Sequence, residues 1–96
     1  MILEIAQIEI KPGLEAAFEA GITEASAIFK AAKGCRAFEV RRSIEHPQRY
    51  RLMIHWDTLE AHTVGFRQSE RYEPWRKLLH HFYAPFPLVE HYGEPV

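Results

Sequence analysis

Apolar and polar residues alternate along three early segments of the chain, as half-buried β-strands require. These segments run from Ile2 to Ile10, from Cys35 to Ile44 and from Arg49 to Trp56. In the first segment Leu3 and Ile5 occupy one face, and the opposite face carries Ile2, Ala6, Ile8 and Ile10. A final strand from Leu88 to Tyr92 is predicted after the break at Pro85-Phe86-Pro87. Four strands are therefore predicted.

Apolar residues at three- and four-residue spacing predict helices between these strands. One helix runs from Leu14 to about Lys33 and ends at Gly34, which suits a left-handed C-terminal cap. After the third strand, Asp57 or Thr58 can cap a second helical region. That region divides into two segments, which run from Leu59 to about Ser69 and from about Glu70 to Tyr83.

The order strand, helix, strand, strand, helix, strand is typical of a ferredoxin-like α+β fold, with an antiparallel sheet and helices on one face. The chain of 96 residues has no internal linker, so residues 1–96 are predicted to form one domain. Leu3, Ile5 and Met53 would lie uncovered on the other face of the sheet. A second copy of the chain would cover them, and we therefore expect a homodimer.

Composition narrows the classes of partner and compartment. A net charge of -1 offers no attraction for nucleic acid or an anionic membrane surface, and no apolar segment is long enough to span a membrane. One cysteine, Cys35, excludes an intrachain disulfide and a four-cysteine zinc site. These features favour a cytoplasmic protein in a reducing compartment.

Aromatic and histidine side chains converge where the third strand meets the following helix. Trp56 ends the strand, and His62 and Phe66, four residues apart, point back over the sheet. They would line an apolar space suited to a flat aromatic ligand. His62 is the catalytic candidate because an imidazole can remove a proton near neutral pH. A histidine there can equally serve as a hydrogen-bonded core residue.

The second helical segment offers further candidates for binding a substrate. Tyr72 and Trp75, with Phe66, can form a stacking wall, although aromatic residues at this spacing also form ordinary cores. Arg67 can orient a carbonyl or an oxyanion, although such arginines are often only solvated. Trp56, Phe66, Arg67, Tyr72 and Trp75 are therefore the predicted substrate-binding residues.

The remaining reactive side chains suggest no other chemistry. His80 and His81 point about a quarter turn apart on a helix and lack metal-ligand spacing, so no metal site is predicted. His55 and His91 lie on strands and are expected at the dimer contact. Cys35 is expected to be a small buried residue. Phosphate-binding glycine loops are absent, which argues against nucleotide cofactors.

Five short stretches in this order resemble the antibiotic biosynthesis monooxygenase family over nearly the whole chain. They are IEIKPG, the GC that opens the second strand, HWDTLEAH, FRQSERYEPW and the closing PLVEHY. The resemblance implies a dimeric α+β barrel with a pocket between helices and sheet in each subunit. It also implies oxidation of a hydroquinone or anthrone-like substrate by O2 with neither metal nor flavin, and with His62 as the base or the group that stabilises the anion.

Two departures from the family pattern bear on activity. The haem-degrading branch uses an Asn, a Trp and a His where this chain has Ala6, Gly65 and Trp75, so haem degradation is not expected. Many members have a Glu on the third strand where this chain has Ile54. The pocket is therefore expected to lack that acid, which favours either of two alternatives: a ligand-binding module without turnover, or a different substrate.

Overall fold

A computed structural model describes residues 1–83, 85 and 87–96. Its elements, in chain order, are β1 (Ile2–Glu9), α1 (Glu15–Lys30), β2 (Cys35–Arg42), β3 (Arg49–Trp56), a π-helix (Ala61–Phe66), α2 (Tyr72–Leu79) and β4 (Leu88–Tyr92). Part of the predicted break before β4 lies outside the described residues, because Ala84 and Phe86 are not among them.

The four strands form one antiparallel sheet in the order β2-β3-β1-β4. The helices pack on one face, and this face receives the alternate residues of β1 and β3 that the sequence assigned to the core, from Ala6 and Ile8 to Ile54 and Trp56. The predicted ferredoxin-like α+β fold is confirmed. β1 and β3 are the two central strands, so the side chains that they direct toward the helices are the most deeply enclosed.

Phe29, near the end of α1, is the centre of an aromatic cluster. Its ring stacks on Phe38 and Phe66, with centroids 4.8 and 4.7 Å away. It also makes edge-to-face contacts with Trp56 and Trp75, at 6.2 and 4.5 Å. Edge-to-face and stacked rings are the preferred arrangements of aromatic side chains. The cluster joins α1 to β2, β3 and both later helical segments.

The chain after α1 differs in detail from the sequence prediction. The helix ends at Lys30, three residues before the predicted end. The amide of Ala32 donates to the carbonyl of Phe29 at 3.0 Å, so the last turn tightens and the helix stops. The C-cap is Ala31 and not the predicted Gly34; Gly34 has a φ of +83° in the turn that follows, and its carbonyl accepts a hydrogen bond from the Asp57 amide at 2.8 Å.

The segment after β3 is a π-helix and not the predicted α-helix. The hydroxyl of Thr58 accepts a hydrogen bond from the amide of Ala61 at 3.1 Å, which confirms one of the two predicted caps. The Arg67 amide then bonds to the His62 carbonyl, five residues earlier, at 3.3 Å. Leu59, where the predicted segment begins, is 40% exposed, while His62 and Phe66 within the π-helix are buried.

The face of the sheet opposite the helices carries an apolar patch. The strand register aligns Ile5 with Met53 and with Glu90, and Leu3 with Tyr92. Tyr92 and Leu88 on the edge strand are 44% and 67% exposed.

None of the helices in the described residues is long and apolar enough to cross a membrane.

A buried carboxylate and two histidines beside a small cavity

A cavity of about 90 Å³ lies between the sheet and the two later helical segments. The structure brings five of the six predicted site residues to its wall: His62, Phe66, Arg67, Tyr72 and Trp75. Phe66 and His62 come from the π-helix, and Tyr72 and Trp75 from α2. The wall is mostly apolar, with a few charged or hydrogen-bonding groups, as is typical of small-molecule sites.

Trp56, the sixth predicted residue, lies behind the wall and does not line the cavity. Its side chain is fully buried, and its ring stacks on the imidazole of His62 at a centroid distance of 5.2 Å and an angle of 18°. Its indole Nε1–H donates a hydrogen bond to Oε1 of Glu4 at 2.9 Å. Trp56 therefore holds His62 and Glu4 in place, and its direct contact with a substrate stays a prediction.

Glu4 is the polar residue of the site that the sequence interpretation missed. It is only 4% exposed and lines the cavity with His62. Strict alternation along β1 places position 4 on the same face as Ile2, Ala6 and Ile8. The sequence therefore did contain a signal for Glu4, because a carboxylate stands within an otherwise apolar face. In the sheet Glu4 pairs directly with Ile54. Position 54 carries no acid, as expected, but the neighbouring strand supplies the pocket with a carboxylate, Glu4.

His62 lies between two polar partners. Its Nδ1 is 2.8 Å from Nε2 of His91, and its Nε2 is 3.4 Å from Oε1 of Glu4. His91 lies opposite Glu4 in the β1–β4 register, which explains why both side chains reach the same imidazole. β4 directs His91 toward the helices and not toward the open face of the sheet, and its place at a dimer contact stays a prediction. His55 lies exposed on the open face, and its role there stays a prediction.

Burial determines the charge state of this group. Burial, followed by the nearby Arg67 and His91, lowers the pKa of His62 to about 4, so its imidazole is neutral at pH 7. Burial also raises the pKa of Glu4, against the opposing effects of the Trp56 hydrogen bond and Arg67. The pKa of His91 is lowered by burial and then by Arg67. The interior therefore disfavours a permanent Glu4–His62 ion pair.

Arg67 supplies positive charge at the mouth of the cavity. Its side chain is exposed, and it makes no ion pair or hydrogen bond through its guanidinium within the described part of the chain. Arg76 also lines the cavity but pairs with Glu73 at 3.5 Å. Arg67 is therefore the cation that remains available to an anionic ligand.

The other candidate groups have structural explanations. His80 and His81 are exposed, and residues 1–83, 85 and 87–96 contain no cluster of three or more His, Cys, Asp or Glu that could hold a metal ion. Cys35 is half-buried, and burial raises the pKa of its thiol, which disfavours the nucleophilic thiolate.

Comparisons with known proteins place the chain in a family. The model of the antibiotic biosynthesis monooxygenase family matches residues 1–78. The uncharacterized protein YczJ of Bacillus subtilis is 44% identical over 94 residues, covering 98% of this chain and 99% of its own length. The chain thus belongs to the antibiotic biosynthesis monooxygenase family.

Solved structures agree with this assignment. A Bordetella bronchiseptica protein assigned to the antibiotic biosynthesis monooxygenases is 45% identical, with a TM-score of 0.94 over 99% of this chain and 97% of its own. SnoaB of Streptomyces nogalater, a cofactor-independent oxygenase crystallised as a point mutant, has a TM-score of 0.81 over 97% of this chain and 91% of its own, at 15% identity. At that identity the likeness to SnoaB concerns the fold.

Proposed function

We propose that this protein is a monooxygenase that oxidises a small aromatic substrate with O2 and needs neither metal nor flavin. The observation that carries the proposal is the neutral, buried imidazole of His62 at the wall of an aromatic cavity, beside the carboxylate of Glu4. The substrate class is a hydroquinone, a naphthol or an anthrone-like compound, each of which loses a proton to give an electron-rich anion.

The chemistry needs a proton acceptor and a group that stabilises an anion. His62 is the catalytic residue of this proposal, because its neutral imidazole offers either a lone pair to the substrate proton or an N–H to the resulting anion. Arg67 lies at the cavity mouth and adds positive charge near that anion. Phe66, Tyr72 and Trp75 would contact the faces and edges of the aromatic ring.

The anion itself is the reductant in this scheme. It passes an electron to O2, and the two radicals combine at carbon to give a peroxide. For a methylene substrate, one oxygen atom becomes a carbonyl in place of two hydrogens, and the other leaves with those hydrogens as water. Atoms and electrons balance without a further reductant. An apolar wall protects the radical pair from water.

The size of the cavity limits the substrate. Its volume of about 90 Å³ is less than the ~150 Å³ of an engineered cavity that binds benzene. A ring therefore requires the cavity to widen where it opens beside Arg67 and Arg76. Single-ring phenols need the least widening and are the smallest compounds that test the site.

Assembly forms a second part of the proposal. The apolar patch opposite the helices, centred on Leu3, Ile5 and Met53, supports a cytoplasmic homodimer in which a second copy covers the sheet. With only 96 residues in each chain, burial of this patch would add to a core of limited size.

Oxygen consumption tests the proposed activity directly. Metal-stripped protein is added to hydroquinones, naphthols and anthrones in an oxygen-electrode cell, and uptake is measured with and without protein. We expect protein-dependent uptake with at least one compound, unchanged by a chelator. The contrary result is that no compound gives oxygen uptake although one of them binds and raises the melting temperature of the protein. That result would reject the monooxygenase and favour a ligand-binding module without turnover.

A further inference from the structure

We propose that Glu4 is a second catalytic residue, which takes the substrate proton while the imidazole of His62 donates a hydrogen bond to the anion that forms. This inference rests on the proposed function and divides its two chemical roles between two residues. It is carried by the position of the carboxylate: Glu4 is 4% exposed, lines the cavity and lies 3.4 Å from His62.

The two oxygens of Glu4 have different surroundings. Oε1 accepts the hydrogen bond of the Trp56 indole and faces Nε2 of His62. Oε2 makes no hydrogen bond within the described residues. Every fully buried side-chain oxygen or nitrogen in those residues has a hydrogen-bond partner, so Oε2 is not one of the fully buried atoms. Oε2 therefore retains accessible surface, and because the rest of Glu4 is enclosed and the residue lines the cavity, this oxygen is available to a substrate hydroxyl.

The neighbouring histidines make the complementary role of His62 possible. When the Nε2–H of His91 donates to Nδ1 of His62, the remaining hydrogen of the neutral His62 ring lies on Nε2. That N–H lies beside the carboxylate and the cavity. It can therefore donate to a substrate oxygen at the moment when Glu4 removes the proton from that oxygen.

The proton balance of the step is simple. The substrate O–H bond breaks, an O–H bond forms on Oε2, and the bonding electron pair stays on the substrate oxygen. A negative charge thus moves from Glu4 to the substrate, and the buried site keeps the same total charge. The proton on Glu4 is then available to the peroxide when its O–O bond breaks and water leaves.

Burial favours Glu4 over His62 as the acceptor. A carboxylate with a raised pKa is a stronger base than an exposed one, whereas the lowered pKa of His62 weakens its imidazole as a base. The charged or titratable groups facing this pair come from every element packed around it: Cys35 from β2, His91 from β4, Arg67 after the π-helix, Tyr72 and Arg76 from α2, and Tyr83 before β4. Arg67 stabilises negative charge whether it lies on Glu4 or on the substrate.

Glu4→Gln is the sharpest test, because glutamine keeps the acceptor oxygen for Trp56 and removes only the base. Glu9→Gln is the matched control on the same strand, since Glu9 lies on the opposite face and pairs with Arg49. Each protein is mixed with 4-nitrophenol without oxygen, and infrared difference spectra are recorded. We expect a protonated-carboxyl C=O band on phenol binding in the wild type and in Glu9→Gln, and no such band in Glu4→Gln.

Steady-state oxygen uptake gives the second readout. Glu4→Gln should lower kcat about 100-fold, with little change in KM. In the wild type kcat/KM should rise with pH through the raised pKa of Glu4, because only the ionised carboxylate accepts a proton, and this rise should disappear in Glu4→Gln. Glu4→Asp, which keeps a carboxylate if glutamine impairs folding, should retain both the infrared band and the pH dependence.

Failure of this inference differs from failure of the proposed function. A carboxyl band that persists in Glu4→Gln, or uptake within about twofold of wild type in that variant, would overturn the role of Glu4 while leaving a monooxygenase. The opposite result is a carboxyl band that appears in the wild type and disappears in Glu4→Gln, with no oxygen uptake from any compound. That result would support Glu4 as a proton acceptor and reject the monooxygenase.

Discussion

His62→Ala is expected to lower kcat for oxygen uptake by about 100-fold or more, which is within the range for loss of an acid–base or oxyanion group. The substitution removes the one ring that contacts Glu4, His91 and Trp56 together. It also enlarges the cavity, so an aromatic ligand should still bind with an affinity close to that of the wild type. The measurement is kcat by oxygen electrode and Kd by anaerobic fluorescence titration.

His46→Ala is the matched control for this substitution. His46 is exposed in the turn between β2 and β3, at the other end of β3 from Trp56, and should tolerate alanine without loss of uptake. If His62→Ala lost binding and turnover in equal proportion, His62 would be a binding residue only. If it kept full turnover, the site would lie elsewhere.

Phe29→Ala is expected to lower the free energy of unfolding by about 3–5 kcal/mol, the range for removing a buried aromatic ring. The ring is 2% exposed and touches Phe38, Phe66, Trp56 and Trp75, so no single neighbour can fill the space that it leaves. The measurement is the urea midpoint with its slope, at a fixed protein concentration because association would contribute.

Phe29→Leu is the matched control, because leucine keeps much of the apolar volume and loses only the ring contacts. It should lose clearly less stability than the alanine variant. A loss below about 1 kcal/mol for Phe29→Ala would contradict the central position of this ring in the core.

The fold was predictable because its signals are local and repeated. Alternation along β1 and β3 identified the strands, and the stripe from Leu14 onward identified α1. The positions of Phe66, Tyr72 and Trp75 on one cavity wall also followed from helical spacing. These features depend on periodicity, which a single sequence records directly.

The chemistry of the site was less predictable because it depends on pairing between distant strands. His91 meets His62 only because β4 lies beside β1 in a register that aligns it with Glu4. The carboxylate opposite Ile54 likewise requires the β1–β3 register. The π-helical turn at His62 depends on a hydrogen bond five residues apart, which no side-chain pattern specifies.

Isotope labelling of the product is the most direct test that O2 supplies the new oxygen atom. Metal-stripped protein is given the most active compound of the panel under ¹⁸O2 in unlabelled water, and the product is analysed by mass spectrometry. A cofactor-independent monooxygenase gives one ¹⁸O atom per product molecule, with wild-type protein and no added cofactor. A product whose new oxygen comes from water, or one that forms only when metal or flavin is restored, would contradict that function.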